Sequence, residues 1–338
     1  MRVNIAKKHI FADMGPKDRY LSLIHPYWIR KYALDRQSGV VERLPARRLL
    51  VPDHFDFFAR LFYIRNRKNH RFLATKVYLE SQRCFTPFGK EWGQEDVKGR
   101  FFARLRRFDE MIDHFSREGF DNSVSLVVLG KDNYLLDGSH RVAALAFYGK
   151  DVTVCRFDTV EPDIFCSYTF FLERGMPRGE ADRVALEALD WLDGIQARII
   201  WPGESLPETG RELLYRRDFR LGRRAYRLLR ARLGLSAPEK GTSGTVCFLL
   251  SQDSTGTQDP ETVRRQAECF LTRPGRSRWL CGGGPAFWAT EPFRLLTERS
   301  RADFAYLRFF FSQLDNSTPL QRCWTRFYRL VSRLWKRG

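Results

Sequence analysis

The spacing of apolar positions changes along residues 108–136, and the predicted secondary structure changes with it. Apolar residues recur at helical spacing over 108–115, which predicts a helix. Residues 124–129 form a β-rich run, and a polar, glycine-containing stretch at 130–133 separates it from a short apolar run at 134–136. The pattern therefore predicts a helix followed by two strands joined by a tight turn.

The second apolar run leads into the sequence D-G-S-H-R at 137–141, which an apolar helical stretch follows. A helix N-terminus carries unpaired N–H groups and a partial positive charge, so it is a natural anion site. Gly138 lets the backbone approach a ligand closely, and Arg141 can clamp phosphate oxygens through two hydrogen bonds. The loop therefore predicts a phosphate cradle, to which Asp137 adds a base or metal ligand. The alternative is that Asp137 caps the helix while His140 and Arg141 form surface ion pairs.

The elements around this loop resemble a known superfamily. Gly149 is predicted to end the helix, and residues 152–157 predict a further strand. The element order, together with the D-G-S-H-R loop, resembles the ParB/sulfiredoxin-like superfamily over about residues 104–158. The form of the loop looks most like the kinase-type ParB-like domains encoded with bacterial surface-polysaccharide genes.

This resemblance implies a function for the loop. It implies that Gly138, Ser139, His140 and Arg141 line the phosphates of a bound nucleotide. It also implies phosphoryl transfer from ATP, or another nucleoside triphosphate, to a hydroxyl, with Mg2+ bridging phosphate oxygens. Asp137 is then the candidate Mg2+ ligand or general base. Because Ser139 stands where a sulfiredoxin has its reactive cysteine, sulfinic-acid reduction by that route is excluded.

Further catalytic groups are sought near the same loop. His140 is a candidate catalytic residue as well as a phosphate contact. A second acid would suit phosphoryl transfer, and Glu118 and Asp121 lie just before the first predicted strand. The alternative interpretation is that these two acids are ordinary surface residues.

The predicted fold class is α+β, with a ParB/sulfiredoxin-like mixed sheet and helical elaborations on both sides. The predicted organisation has five parts: a basic, aromatic N-terminal region (1–100), a nucleotide-binding domain (101–160), a helical region with an Arg-rich helix (161–235), a linker (236–245) and an α/β C-terminal region (246–338).

Beyond residue 160 the pattern mainly predicts helices. A long helix is predicted at 178–200. Nine arginines interleaved with apolar residues at 211–232 predict one or two basic amphipathic helices, interrupted near Gly222. A strand at 246–250 and a helix at 261–271 follow.

The net charge points to an anionic partner. Lys and Arg number 58 against 40 Asp and Glu, a formal charge of +18. Nucleic acid, an anionic membrane and a phosphorylated substrate all fit such an excess. No helix-turn-helix pattern follows the loop, which makes nucleic acid the weaker alternative.

The C-terminal segment offers a candidate membrane contact. Residues 321–337 place aromatic and aliphatic side chains on one helical face and basic residues on much of the rest. This arrangement predicts a helix lying on an anionic membrane surface. The alternative is a terminal helix whose aromatic face packs on the core.

The spacing of cysteines and histidines and the length of apolar runs narrow the class of protein to which the chain can belong. The seven cysteines form no C-x-x-C pair and the histidines lack metal-ligand spacing, so neither a disulfide framework nor a structural metal is predicted. No apolar run approaches the about 18 residues of a membrane span. Residues 1–14 lack the apolar stretch of a signal peptide. A cytoplasmic protein, peripheral at the inner face of the membrane, is therefore expected.

The leading functional hypothesis is a phosphotransferase that uses a nucleoside triphosphate and acts on a hydroxyl of a sugar or glycan precursor. Two alternatives belong to other classes. One is a non-catalytic nucleotide-binding switch of the ParB type. The other is a DNA-binding or nuclease-like protein.

Overall fold

The computed structural model describes residues 15–85, 97–118, 125–207, 210, 212–221, 223–233, 235, 244–253 and 258–271. The helices are α1 (Pro16–Leu21), α2 (Pro26–Tyr32), α3 (Phe55–Asn66), α4 (Arg71–Phe85), α5 (Val97–Arg117), α6 (Ser139–Phe147), α7 (Tyr168–Glu173), α8 (Arg178–Ala188), α9 (Arg223–Arg232) and α10 (Pro260–Leu271). The strands are β1 (Val40–Pro45), β2 (Val127–Leu129), β3 (Leu135–Asp137), β4 (Asp151–Arg156), β5 (Ile195–Ile200), β6 (Leu213–Leu221) and β7 (Gly244–Gln252).

The D-G-S-H-R loop follows an edge strand of a four-stranded mixed sheet in the order β1-β4-β2-β3. Strand β2 runs antiparallel to β3 and parallel to β4, so Val128 lies opposite both Asp137 and Cys155. The predicted order of helix, strand, turn, strand, loop, helix and strand is confirmed, with the first strand shorter than predicted. Together with its helices, this sheet confirms the α+β class.

Both faces of this sheet are covered, because alternate residues of a strand point to opposite sides. Val127 and Leu129 belong to the main core, which also contains apolar residues of α3, α4, α6 and α8. Val128 belongs to a second core with Ile24 and Leu34 from the N-terminal region. The loop after β3 is therefore held on a scaffold that is packed on two sides.

Strand β1 comes from outside the segment predicted to form the nucleotide-binding domain. It pairs antiparallel with β4, with Val41 opposite Cys155. Helix α3, also from the N-terminal region, packs against α4, α6 and α8. Strand β1 and helix α3 both precede the predicted boundary at residue 101, yet they pack with the sheet and helices that follow it.

The long helix predicted at 178–200 is wrong beyond Ala188. Gly194 has a φ of +70°, and residues 195–200 form β5, which pairs antiparallel with β7. A residue with a positive φ of this kind does not continue a right-handed helix. Pairing with a distant strand therefore overrides the local helical pattern.

The basic amphipathic helices predicted at 211–232 are wrong in their first half. Residues 213–221 form β6, which pairs antiparallel with β7. Asp218 and Arg220 are exposed, whereas Phe219 and Leu221 pack against the core, so the period there is two. Only α9 is a helix.

The predicted strand at 246–250 and helix at 261–271 are confirmed as parts of β7 and α10. Within the ranges given above, no helix combines the length and apolar character that crossing a bilayer requires. Asp121, most of the predicted linker, and the C-terminal segment 321–337 lie outside the described residues.

Candidate functional site

A cleft of about 710 Å³ opens beside the N-terminus of α6. Its lining comes from six parts of the chain: residues 134–140, residues around the start of α3, the aromatic side of α2, the end of α4, α5, and the segment 162–166. The fold therefore brings the D-G-S-H part of the loop together with side chains from distant segments.

The first turn of α6 begins at a glycine that the backbone requires. Gly138 has a φ of +109°, and a Cβ there would lie 2.8 Å from Cγ2 of Val127. Gly138 is the N-cap residue, and its position leaves the first turn without a side-chain cap among the described residues. Asp137, the residue that the alternative interpretation assigned to capping, instead accepts a hydrogen bond from Arg141.

We expect Gly138→Ala to lower the free energy of unfolding by about 2–3 kcal/mol, from backbone strain plus the clash with Val127. Gly149→Ala is the matched control, because Gly149 also has a positive φ (+63°) but a Cβ there meets no atom within 4 Å. The control should lose about 1 kcal/mol. Urea denaturation of both variants measures the difference, and equal losses would contradict the close approach.

Arg141 stabilises the loop through hydrogen bonds to neighbouring residues. Its Nη1 donates to Oγ of Ser125 at 2.7 Å and to the carbonyl oxygen of Leu126 at 2.9 Å, while Nη2 donates to Oδ2 of Asp137 at 3.0 Å. Burial lowers the pKa of Arg141, although the Asp137 carboxylate acts in the opposite direction. Arg141 is not among the residues that line the cleft. To contact a phosphate it would have to exchange these partners, so that role stays a prediction.

His140 lines the cleft but does not bring a positive charge to it. Its Nε2 lies 2.8 Å from the hydroxyl of Tyr78, and its ring meets Phe108 edge-on at 4.8 Å. Burial, together with the charge of Arg60, holds the pKa of His140 well below 6.5. The imidazole is therefore neutral at physiological pH and can contribute only a polar contact.

The sequence interpretation missed a buried polar cluster in the cleft, formed by His54, Asp56 and Arg60. Nδ1 of His54 lies 3.1 Å from Oδ1 of Asp56, and the Arg60 guanidinium pairs with Oδ2 of the same carboxylate. Burial alone would raise the pKa of Asp56, but Arg60 and His54 outweigh it and hold the pKa at about 2. The carboxylate is therefore ionised, and it accepts hydrogen bonds from both neighbours.

Three polar atoms of cleft-lining side chains are buried without a hydrogen-bond partner in the described part of the chain. They are Nε2 of His54, Nε of Arg60 and Nε2 of Gln82. Buried polar groups are nearly always paired with protein or water. These atoms therefore indicate a cleft that is prepared for a polar occupant.

Aromatic rings and cations form the outer walls. The rings of Trp28 and Tyr32 lie parallel within 7°, with centroids 5.9 Å apart. Lys31 lies about 5 Å from both rings and pairs with Asp163 at 2.7 Å. Helix α5 contributes two cations and two apolar side chains: Arg104, Arg107, Phe108 and Met111.

One group of three potential metal ligands comes together in the described residues, although the spacing of the histidines predicted none. Ligand atoms of His54, Asp56 and Cys166 lie within 4.8 Å of one another. The Arg60 guanidinium already pairs with Asp56. Burial, reinforced by Asp56, raises the pKa of the Cys166 thiol. Both features oppose the binding of a cation.

Of the two acids predicted as catalytic partners, the structure describes Glu118 and does not bring it to the cleft. Glu118, the residue after α5, is exposed, and its Oε2 lies 3.5 Å from Nδ1 of His114. It is not among the cleft-lining residues. Asp121 lies outside the described residues, so its role stays a prediction.

Comparison with known proteins identifies no relative of this chain. No family model, no curated protein and no solved structure matches the chain. The function is therefore inferred from the side chains of the cleft themselves.

Proposed function

We propose that the chain is a phosphotransferase that takes a phosphoryl group from a nucleoside triphosphate and gives it to a hydroxyl of a sugar or glycan precursor. The observation that carries the proposal is the meeting, in one cleft, of the loop at 137–140, the arginines of α5 and the parallel rings of α2. Each part suits a different portion of the substrates.

The phosphates are assigned to the N-terminal end of α6 and to α5. Helix α6 has nine residues, and its first turn has no side-chain cap among the described residues. Such a helix end favours an anion through its N–H groups and its partial positive charge. Arg104 and Arg107 line the same cleft and add charge-assisted donors for phosphate oxygens.

The nucleobase is assigned to the aromatic wall. Trp28 and Tyr32 present parallel ring faces, and Tyr27 lines the cleft beside them. Every base has a π-face, so stacking on aromatic side chains holds a nucleotide without selecting strongly among bases. This wall supports a nucleotide rather than a bare phosphate compound as the donor.

The residues present also fit Mg2+. Asp56, Asp163 and Asp137 are each paired with a cation, but both carboxylate oxygens of Asp56 and Asp163 are engaged, whereas Asp137 bonds Arg141 through Oδ2. Mg2+ is usually bound by one or two carboxylates together with substrate phosphates and water. Asp137 would therefore hold the ion through Oδ1, and the bound ion would neutralise charge on the phosphates.

We expect Arg104→Ala and Arg107→Ala each to weaken binding of MgATP by about tenfold to a hundredfold, because each removes a charge-assisted contact. Isothermal titration calorimetry on the full chain measures this. Arg106→Ala is the matched control, since Arg106 is an exposed arginine of α5 that is not among the cleft-lining residues. An equal loss in the control would assign the effect to overall charge. Failure of the unaltered chain to bind MgATP would contradict the proposal.

Transfer assays separate the alternatives. Labelled γ-phosphate appearing on glycan fractions supports the enzyme. Oligomerisation that requires nucleotide but produces no turnover favours the switch, and salt-sensitive duplex binding favours a DNA-binding protein.

Attachment of residues 321–337 to an anionic membrane, which would place the enzyme near lipid-linked acceptors, also stays a prediction. Sedimentation with anionic and neutral vesicles tests it.

A further inference from the structure

We infer that His54 is the catalytic base that takes the proton from the acceptor hydroxyl, and that Asp56 and Arg60 are positioning residues that hold it ready. This inference rests on the proposed function and adds to it the group that activates the nucleophile. None of these three residues belongs to the D-G-S-H-R loop.

The hydrogen bonds around His54 determine which of its nitrogens carries the proton. Asp56 is ionised and can only accept, so the 3.1 Å contact requires Nδ1 of His54 to donate. In the neutral imidazole, Nε2 then carries the lone pair. That nitrogen is buried and has no hydrogen-bond partner among the described residues. A histidine with a purely structural role would normally have both nitrogens paired.

The ring is also fixed in orientation. It stacks on Tyr134 with centroids 4.1 Å apart and packs against Phe57 at 4.9 Å. The Tyr134 hydroxyl is itself engaged, since it accepts from the backbone N–H of Cys166 at 2.8 Å. His54 lines the cleft while being only 3% exposed. A preorganised base of this kind needs little rearrangement when the substrate arrives.

The other candidate bases at the cleft are already occupied. Oδ2 of Asp137 accepts from Arg141, and Nε2 of His140 contacts the Tyr78 hydroxyl. Asp56 is enclosed between His54 and Arg60. Asp163 is paired with Lys31. Because Oδ1 of Asp137 is assigned to Mg2+, His54 is the candidate base that keeps an unused acceptor atom in the cleft.

The transfer forms one bond and breaks one bond at the γ-phosphorus. The hydroxyl oxygen attacks the γ-phosphorus while its proton passes to Nε2 of His54. The bond from the γ-phosphorus to the bridging oxygen breaks, and its electron pair leaves with the nucleoside diphosphate. The imidazolium that forms is stabilised by the Asp56 carboxylate at Nδ1, and it returns its proton to solvent after product release. Water can replace the hydroxyl in the same step.

The test separates the base from a structural histidine. In His54→Asn the amide nitrogen can take the place of Nδ1 and keep the bond to Asp56, while Nε2 is lost. Turnover is followed as phosphate release from MgATP by the full chain, with water as the acceptor. We expect kcat to fall about 10²- to 10⁴-fold while Kd for MgATP changes less than about threefold. His114→Asn, on α5 and outside the cleft lining, should change neither value.

A second variant covers the case in which asparagine disturbs the fold. His54→Ala leaves space for a small base, and added imidazole should restore part of the lost turnover. Turnover like that of the unaltered chain in His54→Asn, or equal losses of binding and turnover, would overturn the inference. So would a thiolate-to-metal absorption band with cobalt(II) alone that Cys166→Ser abolishes, because the imidazole would then serve a metal.

Binding of MgATP and release of phosphate are separate measurements, and release can fail where binding succeeds. If the unaltered chain binds MgATP but releases no phosphate, the assignment of His54 is overturned and nucleotide binding stands. If the unaltered chain does not bind MgATP, the proposed function falls and the assignment of His54 falls with it.

Discussion

Replacing Asp56 with alanine is expected to lower the free energy of unfolding by about 3–5 kcal/mol. Arg60 is 3% exposed, and its Nε has no hydrogen-bond partner among the described residues. Without the carboxylate, the guanidinium is left as an uncompensated buried charge, which is the costly case for a buried ion pair. Urea denaturation at neutral pH, followed by circular dichroism, measures the change.

A surface pair of the same spacing is the control. Arg264 and Glu268 in α10 are also four residues apart, with side chains 42% and 50% exposed. Exposed pairs contribute little, so Glu268→Ala should cost about 0.5 kcal/mol or less. Comparable losses in the two variants would mean that Arg60 is not the source of the penalty.

The pH dependence gives an independent check on Asp56. Its pKa is about 2 in the folded chain against an ordinary value of 3.8. A depressed carboxyl pKa adds stability that is fully present above pH 3.8 and is lost as the pH falls towards 2, here about 2 kcal/mol. The Asp56→Ala variant should lack that part of the acid sensitivity.

His140 adds a separate acid sensitivity at higher pH. Its folded-state pKa lies well below 6.5, so the unfolded chain binds the proton first. Stability should therefore fall as the pH drops below 6.5, both in the unaltered chain and in Asp56→Ala. A difference between the two chains that appears only above pH 4 would contradict the assignment to Asp56.

Arg141→Ala should lower the free energy of unfolding by about 3–4 kcal/mol. The variant leaves the Asp137 carboxylate and the Leu126 carbonyl without their donor, and it empties a buried site beside β2. Arg141→Lys should lose less, because a charge remains although one ammonium group cannot serve the same three acceptors. Thermal and urea denaturation measure both variants.

Nucleotide affinity then separates two roles of Arg141. Direct contact with phosphate predicts a tenfold to hundredfold loss of MgATP affinity in a variant that is still folded. If Arg141 only stabilises the loop, the affinity for MgATP should fall in proportion to the loss in the free energy of unfolding. Ser125→Ala removes one of the partners, and it should cost about 1 kcal/mol of stability while leaving affinity nearly unchanged. An affinity loss in Arg141→Lys without any loss of stability would favour the direct contact.

Local signals in the sequence were sufficient for the core of the site. Two signals determine the local backbone within a few residues. One is the glycine at 138, where φ is +109°, and the other is the change from short apolar runs to helical spacing. The strand, loop and helix could therefore be predicted. The direction of the Arg141 side chain could not, because it depends on acceptors at Ser125 and Leu126 in a neighbouring part of the sheet.

The missed features all depend on distant pairing. Strands β5 and β6 exist because both pair with β7, so local helical spacing was misleading there. The cluster of His54, Asp56 and Arg60 lies in the region that the sequence analysis describes only as basic and aromatic, within a mainly apolar run at 55–62. A charged pair four residues apart within such a run was the available signal. Its importance depends on the cleft, which the N-terminal sequence alone does not reveal.

The pairing of β1 with β4 has a consequence for the chain as it is made. Residues 40–45 leave the ribosome more than a hundred residues before their partners at 151–156. At bacterial and eukaryotic rates of about 5–20 residues per second, that interval lasts about 5–20 s. During it, the apolar side chains of the N-terminal region that later cover the sheet, such as Ile24 and Leu34, have no sheet to cover. We therefore expect the nascent N-terminal region to expose these side chains, as a chaperone client does, until β4 emerges and completes the sheet.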